Sequence, residues 1–489
     1  GDSERNKTGV RCNGCGAMMR ARSLLTVFVT GFGCCLLSVT AHAELPERIR
    51  NVLNALDISH DDVSILIEET GTRTPLLSHL PEQPRNPASV MKLVTTYSAL
   101  ELLGPAYVWP TDVFMLGSFD GEILDGDLAL KGYGDPFLVQ EELWKLLRRL
   151  RRIGLQQITG DLVLDASYFD IREPAPGEFD SQPARTYNVV PNSLLMNFQA
   201  VQFQFRPDPI RGVVRVALEP PLRNVTVDNN LSLGNGRCGG YQRGISFNYG
   251  ADDRDRIVLD GEFSRNCSVY SMTRSVLEHE TYAYGLFRSL WGELGGSLEG
   301  RMRTEPVPED ASPAMVWLSR PLAEVLRSIN KNSNNVMTRQ LLYTIAAETH
   351  GNPGTRENGI AAIDEFLRSR GLDTESLVVV NGAGLSRDAR VSARLLVDML
   401  QESQNSPYAA EFVSSLSIGG LDGTTRGRYD RRAGNGLTHV KTGRLDHVSA
   451  IAGFAHLTDG TEYVLSVLIN TPDAHRGLGQ EVEEAVLAL

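Results

Sequence analysis

The sequence predicts an α/β fold in which one outer domain is split by inserted smaller domains. Both ends of the chain mix helical and strand patterns, whereas the middle, roughly Leu194 to Tyr270, has the alternating apolar residues of β-strands. The residue patterns that could carry chemistry fall only in the outer parts. With 489 residues, the chain is long enough for two or three domains.

Composition excludes several classes of protein. The chain is 42% hydrophobic and 22% charged, which does not fit wholesale disorder, collagen or a multi-span membrane protein. Its formal net charge is −12 at pH 7. An acidic chain is a poor candidate for binding the phosphate backbone of a nucleic acid, so we expect no nucleic-acid partner.

The N-terminus has the pattern of a secretory signal peptide. Arg20 and Arg22 precede an apolar run from Ser23 to Thr40, and the small residues of Ala41-His42-Ala43 stand before an expected cleavage point. A transmembrane anchor is the alternative, but two glycines interrupt the run. We therefore predict that residues 1–43 are an upstream segment with a signal peptide. The mature protein is expected in the periplasm, without a transmembrane anchor.

The first part of the outer domain is predicted to contain a strand and a helix. The strand Val63–Glu68 is followed by a turn at Gly71. Pro87 then precedes a strong helical pattern from Ser89 to Leu103, which Gly104-Pro105 ends.

The next segment has short strands around one amphipathic helix. The predicted strands are Asp112–Leu116, Leu124–Leu130 and Gly160–Leu164. The helix Glu141–Ile153 has leucines at helical spacing on one side and five basic residues on the other, namely Lys145, Arg148, Arg149, Arg151 and Arg152. A solvated face is the favoured interpretation of the basic side, and binding to an anionic polymer is the alternative.

The β-rich middle contains the two cysteines that remain after the predicted cleavage, Cys238 and Cys267. Outside the cytosol, an isolated pair favours a disulfide over a metal site or a nucleophile. A helical pattern returns near Thr281–Leu294.

The C-terminal part is predicted to be mostly helical from Pro313 to about Leu400, and it ends in a β-meander with a final helix from about Gly479. The meander strands are Thr438–Lys441, Val448–His456 and Glu462–Asn470. Asp459-Gly460 is a plausible hairpin turn between the last two strands.

Ser89-Val90-Met91-Lys92 forms an S-x-x-K motif at the start of the predicted helix. Residues three apart share a helix face, so Lys92 can reach the Ser89 hydroxyl. A lysine held in a partly dry site can be neutral enough to accept the serine proton. The alternative interpretation is that Ser89 caps the helix and Lys92 lies at the surface.

Two further motifs follow. Ser333-Asn334-Asn335 is an S-x-N in a polar break between helical runs, and Lys441-Thr442-Gly443 is a K-T-G on a predicted strand. Helix capping and an ordinary strand end are the alternative interpretations. In the functional interpretation, the glycine lets a ligand approach the backbone, and the lysine and threonine hold a carboxylate. The order of the three motifs, each on a fitting element, is more specific than any one of them.

This set of motifs resembles penicillin-binding proteins and serine β-lactamases, which carry S-x-x-K, S-x-N and K-T-G around one cleft. The long insert after the first motif is similar to that of the class C low-molecular-mass penicillin-binding proteins, which are D-alanyl-D-alanine carboxypeptidases and endopeptidases. The resemblance runs from about Glu44 to the C-terminus and includes three further stretches, at residues 134–136, 381–387 and 420–424.

The resemblance implies a transpeptidase domain with an antiparallel sheet flanked by helices, interrupted by two smaller inserted domains. The expected domains are a catalytic domain (44–105 and 306–489), an inserted α/β domain (106–190 and 276–305) and a nested β-rich domain (191–275).

The resemblance also implies a role for each motif residue. Ser89 would be the acylated nucleophile and Lys92 would take its proton. Ser333 would relay a proton towards the leaving amine, and Asn335 would position Lys92 and the substrate backbone.

The third motif would bind the substrate. Lys441 would supply positive charge, Thr442 would hold the terminal carboxylate, and Gly443 would line the cleft. The backbone N–H groups of Ser89 and Arg444 would form the oxyanion hole.

Several positions depart from the family pattern. Arg444 stands where a small hydroxyl residue is usual, and Asn334 replaces the commoner aspartate. In residues 381–387, Asn and Ala replace the usual Asp and Ser, but Arg387 is present. In relatives this arginine helps to hold the diaminopimelyl end of the stem peptide, and the expected acidic partner here is Asp180.

The function implied is acyl transfer on peptidoglycan stem peptides and crosslinks, with β-lactams as covalent inhibitors and no metal or cofactor. A β-lactamase-like hydrolase and a non-catalytic peptidoglycan-binding protein are the alternatives. A Ser-His-Asp hydrolase is disfavoured because no G-x-S-x-G occurs, and a zinc enzyme because the nine histidines form no H-E-x-x-H.

Overall fold

The computed structural model describes residues 45–250, 253–428 and 436–489. The predicted signal peptide lies outside the described residues. The helices are α1 Glu47–Ala55, α2 Met91–Leu103, α3 Gln140–Arg152, α4 Tyr241–Gly244, α5 His279–Glu293, α6 Leu322–Asn332, α7 Asn335–His350, α8 Arg356–Ser369, α9 Ala393–Ser403, α10 Ala409–Ser415 and α11 Leu478–Leu487. Within the described ranges, none of them is long and apolar enough to cross a bilayer.

The strands fall into four sheets. In chain order they are β1 Val63–Glu69, β2 Pro75–His79, β3 Pro110–Phe119, β4 Ile123–Gly132, β5 Gln157–Ile158, β6 Leu162–Asp165, β7 Val201–Asp208, β8 Val213–Glu219, β9 Thr226–Gly234, β10 Ile245–Gly250, β11 Asp253–Ser264, β12 Tyr270–Arg274, β13 Ser297–Leu298, β14 Met302–Thr304, β15 Met315–Leu318, β16 Ser417–Ile418, β17 Thr438–Leu445, β18 Val448–His456 and β19 Glu462–Asn470.

The two ends of the described chain meet in one six-stranded sheet of order β16-β17-β18-β19-β1-β2. β1 pairs antiparallel with β19, which places Val63 opposite Ile469. Because side chains alternate along a strand, Ile65 packs in the core shared with α1 and α11, whereas Leu66 packs with α2 and α6–α9. The sheet is therefore covered by helices on both faces, and the predicted fold class is confirmed.

The chain between α2 and α6 forms the other three sheets. The larger one has seven strands, with the order β13-β5-β4-β3-β15 and β6 pairing with β4 and β14. The apolar side of α3 packs beside α5 in a core that also takes in Phe203, Phe205 and Phe263 from the small sheets. Those small sheets have the orders β10-β11-β9 and β12-β7-β8.

A disulfide joins Cys238, which follows β9, to Cys267, which follows β11, with the two Sγ atoms 2.06 Å apart. The disulfide expected from the sequence is thus present in the structure. It links two segments whose strands already run side by side, since β9 and β11 pair in parallel.

One segment differs from the sequence expectation. The region after Pro313 was expected to be mostly helical, and α6–α9 confirm this, but its first element is strand β15, in which Met315 pairs with Val113 of β3. A strand of four residues between Pro313 and Pro321 is too short to show a clear alternation, so its pairing is decided by tertiary contacts. β15 follows residue 306 and still belongs to the inserted sheet; the domain boundaries stay a prediction.

Candidate active site

Ser89 lies in a single 3₁₀ turn, Ala88–Val90, that leads directly into α2. Ala88 has a φ of 45°, so the backbone enters the turn in the left-handed region, which is costly for a residue other than glycine. The turn leaves Ser89 partly exposed at the start of the helix. Lys92 follows one turn later on the same face, and its Nζ lies 3.0 Å from Ser89 Oγ.

Lys92 is completely buried and has only neutral hydrogen-bond partners. Besides Ser89, its Nζ donates to Asn335 Oδ1 at 2.6 Å and to the Ala383 carbonyl at 2.7 Å. Burial, and secondly the nearby Lys441, hold the pKa of Lys92 well below its usual value. The surroundings therefore favour a neutral amine that can accept a proton from the serine hydroxyl.

The S-x-N motif occupies the junction of two helices. Ser333 ends α6 with a φ of 55°. The Asn334 side chain accepts a hydrogen bond from the Met337 N–H at 3.0 Å and so caps α7. This leaves Asn335, the first residue of α7, free to face Lys92. Within the motif, Asn334 therefore caps the helix, whereas Asn335 contacts Lys92.

Lys441 joins the second motif to the third. It is completely buried on β17, and its Nζ donates to Ser333 Oγ at 2.9 Å and to the Thr442 carbonyl at 2.7 Å. Burial, and secondly the charge of Arg428, lower the pKa of Lys441 to about 7. The Thr442 hydroxyl lies 2.7 Å from that of Thr424, so two hydroxyl groups meet beside the lysine.

Gly443 allows β17 to approach the serine turn. A Cβ at this position would lie 2.4 Å from the Pro87 carbonyl oxygen and 3.1 Å from the Ser89 nitrogen. The glycine thus lets the strand pack against the backbone that carries Ser89, whereas the sequence interpretation assigned the close approach to a ligand.

The pairing of β17 with its neighbours shows where the backbone N–H of Arg444 points. The Leu437 carbonyl accepts a hydrogen bond from His456 of β18, whereas the Thr438 carbonyl accepts one from Gly419, on the side of β16. Backbone groups alternate between the two edges of an antiparallel strand, and the register with β18 is unbroken through Arg444. The Arg444 N–H therefore points to the edge of β17 that faces away from β18, while its side chain is exposed.

Arg387 lies at the mouth of a neighbouring cleft of about 360 Å³. The Asn86 amide, three residues before Ser89, donates to the Ser386 carbonyl at 2.8 Å and ties this segment to the serine turn. The Arg387 guanidinium is 5.1 Å from the centre of the Phe179 ring and 3.2 Å from an Asp446 carboxylate oxygen.

Asp180 has other partners. Its carboxylate accepts hydrogen bonds from the Tyr187 hydroxyl at 2.7 Å and from the Asn188 amide at 2.9 Å. The structure thus gives Arg387 an acidic partner from the β17–β18 turn, Asp446, and not Asp180. A role for Asp180 towards a bound substrate stays a prediction.

The sequence analysis assigned no role to several groups that contact the site residues: Thr424, Asp446, Phe179 and the Ala383 carbonyl. Thr424 and Ala383 lie in stretches that support the family resemblance, but nothing local to either stretch indicates what the residue contacts. Each of them meets a residue far away in the chain, as with Ala383 and Lys92.

One group of side chains in the described ranges lies close enough together to hold a metal ion, namely His447, Asp473 and His475. The Nδ1 atom of His475 accepts the His447 N–H at 2.9 Å, and the Nδ1 atom of His447 accepts the Asp473 N–H at 3.1 Å. The Nδ1 atoms of both rings are therefore engaged as acceptors of backbone hydrogen bonds.

Comparison with known proteins matches residues 45–487 to the D-Ala-D-Ala carboxypeptidase 3 (S13) family. The chain is 28% identical over 446 residues to a D-alanyl-D-alanine carboxypeptidase from an Actinomadura species, covering 87% of this chain and 81% of that protein. It is 23% identical over 385 residues to the D-alanyl-D-alanine carboxypeptidase DacB of Haemophilus influenzae, covering 78% and 80% of the two chains.

The fold is similar to that of a solved structure. The crystal structure of penicillin binding protein 4 (dacB) from Haemophilus influenzae superposes with a TM-score of 0.76 at 20% identity, covering 90% of this chain and 99% of that one. The same protein complexed with a β-lactam superposes with a TM-score of 0.72, again at 20% identity, covering 90% and 98%.

Proposed function

Because the chain belongs to the D-Ala-D-Ala carboxypeptidase 3 (S13) family, we propose that it cleaves the terminal D-Ala–D-Ala bond of peptidoglycan stem peptides through an acyl-enzyme on Ser89. The observation that carries this proposal is the contact between Ser89 Oγ and the buried Nζ of Lys92, at 3.0 Å. A binding protein needs no nucleophile held against a lysine of lowered pKa.

Acylation begins with proton transfer. Neutral Lys92 takes the hydroxyl proton as Ser89 Oγ attacks the carbonyl carbon of the penultimate D-alanine. The carbonyl oxygen becomes an oxyanion and is bound by the N–H groups of Ser89 and Arg444. Such donors contribute roughly 3–4 kcal/mol to stabilising the transition state. The Arg444 side chain is not required, because only its backbone donates.

The leaving group needs a proton. Ser333 Oγ stands 2.9 Å from Lys441 Nζ, and Lys441 is close enough to Lys92 to lower its pKa. We propose that the proton held by Lys92 reaches the departing D-alanine amine through Ser333. A pKa of about 7 lets Lys441 support this relay near neutral pH.

The substrate carboxylate is proposed to lie at the paired hydroxyl groups of Thr442 and Thr424, beside the Lys441 ammonium. Two hydroxyl donors and one cation form a suitable site for a single terminal carboxylate. At the other end of the cleft, Arg387 is about half-exposed (47%) and offers a guanidinium to the stem peptide.

Water resolves the acyl-enzyme in the carboxypeptidase reaction. Endopeptidase cleavage of crosslinks would proceed through the same acyl-enzyme with a different leaving amine. β-Lactams, which mimic the acyl-D-Ala-D-Ala end, should acylate Ser89. The signal-peptide pattern of residues 1–43 supports a periplasmic site of action.

Intact-mass spectrometry with and without benzylpenicillin, followed by peptide mapping, tests the proposal. We expect one penicilloyl adduct on the peptide that contains Ser89 and no adduct on the Ser89→Ala variant. Rapid loss of the adduct with hydrolysed drug would favour a β-lactamase. A folded protein that forms no adduct and releases no D-alanine from a D-Ala–D-Ala peptide would contradict the enzymatic function.

A further inference from the structure

A shallow cavity of about 630 Å³ lies between α3 and β15, on the inserted seven-stranded sheet. It is lined by Lys145, Arg148, Arg149, Arg152, Ile153 and Trp317. None of these residues contributes to the cleft around Ser89.

The cations of this cavity are largely unneutralised. Lys145 pairs with Glu142 at 3.0 Å, and Glu142 is shared with Arg320. Across residues 45–250, 253–428 and 436–489, no carboxylate oxygen lies within 4.0 Å of Arg148, Arg149 or Arg152, the exposed arginines of α3. Like charges three and four residues apart destabilise a helix, so this arginine row lowers the stability of α3. It occurs in a chain with an excess of 12 negative charges.

One residue of the cavity wall, Trp317, has a hydrogen-bond donor without an acceptor among the described residues. The indole N–H of Trp317 is buried and has no partner in the described structure. A buried donor left unpaired is unfavourable, and an acceptor bound in the cavity would satisfy it. The Trp317 N–H and the arginines would thus both bind the same kind of ligand, an anion with oxygen acceptors.

The cavity has apolar borders. The Ile153 side chain is 47% exposed at the end of α3. The Arg148 guanidinium lies 5.2 Å from the centre of the Trp144 ring, which is itself partly exposed. Cations next to aromatic and aliphatic groups are typical of proteins that lie at a lipid–water interface, where indole rings have one apolar and one wet side.

We propose that this cavity binds the phosphodiester headgroups of anionic phospholipids and seats the inserted sheet on a membrane surface. The arginine row and the Trp317 N–H contact headgroup oxygens, and Ile153 and Trp144 contact the acyl boundary. Headgroups present several phosphates in one plane, which matches several cations on one helix face better than a single free phosphate does.

Vesicle flotation tests the proposal, with the compact unit Ala43–Leu489 and vesicles of phosphatidylcholine with and without phosphatidylglycerol. We expect binding only to the anionic vesicles. Each basic residue near such a surface contributes about fivefold to partitioning, so the R148Q/R149Q/R152Q variant should bind about 100-fold more weakly. The R73Q/R237Q/R265Q variant removes three exposed arginines from other surfaces and should bind like the wild type.

Two further measurements complete the test. Trp317→Phe keeps an aromatic side chain but removes the N–H donor, and it should weaken binding about two- to tenfold. Benzylpenicillin acylation at the wild-type rate shows that a variant is folded. Equal vesicle binding by wild type and the R148Q/R149Q/R152Q variant would overturn the proposal, as would absence of wild-type binding. Binding of a soluble glycerol-phosphate polymer as tight as that of vesicles would overturn the assignment to lipid.

Discussion

Two regions of the described chain have basic side chains without a carboxylate partner, and they differ in exposure to water. In the cleft, Lys92 and Lys441 are completely buried and contact only hydroxyl, amide and carbonyl oxygens. On α3, the arginines are exposed. Burial lowers the pKa of an amine, so the cleft lysines can exchange protons, whereas guanidinium groups remain charged and can only attract anions.

A third case makes the difference clear. Lys331 is also largely buried and lies only two residues before Ser333, but its Nζ pairs with the Asp422 carboxylate at 2.6 Å. This ion pair supports the segment that carries Thr424. Lysines close together in the fold thus differ in whether a carboxylate accompanies them.

The largest effect is expected from replacing the proposed base. Lys92→Met keeps the approximate size of the side chain and removes the amine. Since a general base contributes roughly 10²–10⁴-fold, we expect the rate constant for acylation by benzylpenicillin to fall by that factor. Arg149→Gln, which removes a cation from the exposed region, should leave the rate within about twofold. A Lys92→Met enzyme acylated within tenfold of the wild type would contradict the role of Lys92.

A carboxylate introduced into the cleft should have the next largest effect. In Asn335→Asp, an anion would stand at the position that is now 2.6 Å from Lys92 Nζ. An adjacent opposite charge raises the pKa of a lysine by roughly 1–3 units, so acylation at pH 7 should slow about 10- to 1,000-fold.

The rate of the Asn335→Asp variant should recover at alkaline pH, where the amine loses its proton. Asn334→Asp is the matched control, because aspartate also caps helices and this position faces the α7 N-terminus. An Asn335→Asp profile that overlies the wild-type profile from pH 6 to 10 would show that the charge of Lys92 does not limit acylation.

The sequence predicts local contacts of the cleft better than contacts between distant segments. The i, i+3 spacing of Ser89 and Lys92 on a helix implies their contact, because helix geometry alone decides it. The pairing of Thr442 with Thr424 and of Arg387 with Asp446 depends on how separate segments pack, and no local pattern encodes it. For this reason Asp180 was expected where the structure places Asp446.

The same distinction holds for the fold. The strands Val448–His456 and Glu462–Asn470 were predicted with the bounds that the structure gives, because each is a long, mostly apolar run. β15 has only four residues and forms because β3 offers it an edge. The basic face of α3 was predicted correctly as a pattern, but the unpaired Trp317 N–H beside it could be found only in the structure.

The pH dependence of substrate binding should report on Lys441. With a pKa of about 7, this lysine is charged below pH 7 and increasingly neutral above it. If it binds the substrate carboxylate, kcat/KM for a D-Ala–D-Ala peptide should fall as pH rises above 7, by up to about tenfold per pH unit. Lys441→Arg keeps the charge at all these pH values and should remove the falling limb. A falling limb that persists in this variant would assign it to another group.

The smallest effect concerns stability. Lys441 keeps its proton up to about pH 10.5 in the unfolded chain but only up to about pH 7 in the folded chain. Burial of this charge therefore destabilises the fold fully below pH 7. The destabilisation decreases as the pH rises from 7 to 10.5. Lys441→Met should therefore stabilise the protein by about 1–4 kcal/mol at pH 6 and by little at pH 10. Thermal unfolding midpoints at the two pH values would measure this change in stability.

The control is Lys331→Met, which removes a lysine that is paired with a carboxylate and should destabilise the protein at both pH 6 and pH 10. If both variants lose stability equally at pH 6, the charge of Lys441 is compensated in the fold, and the contrast between the paired and the unpaired buried lysine does not hold.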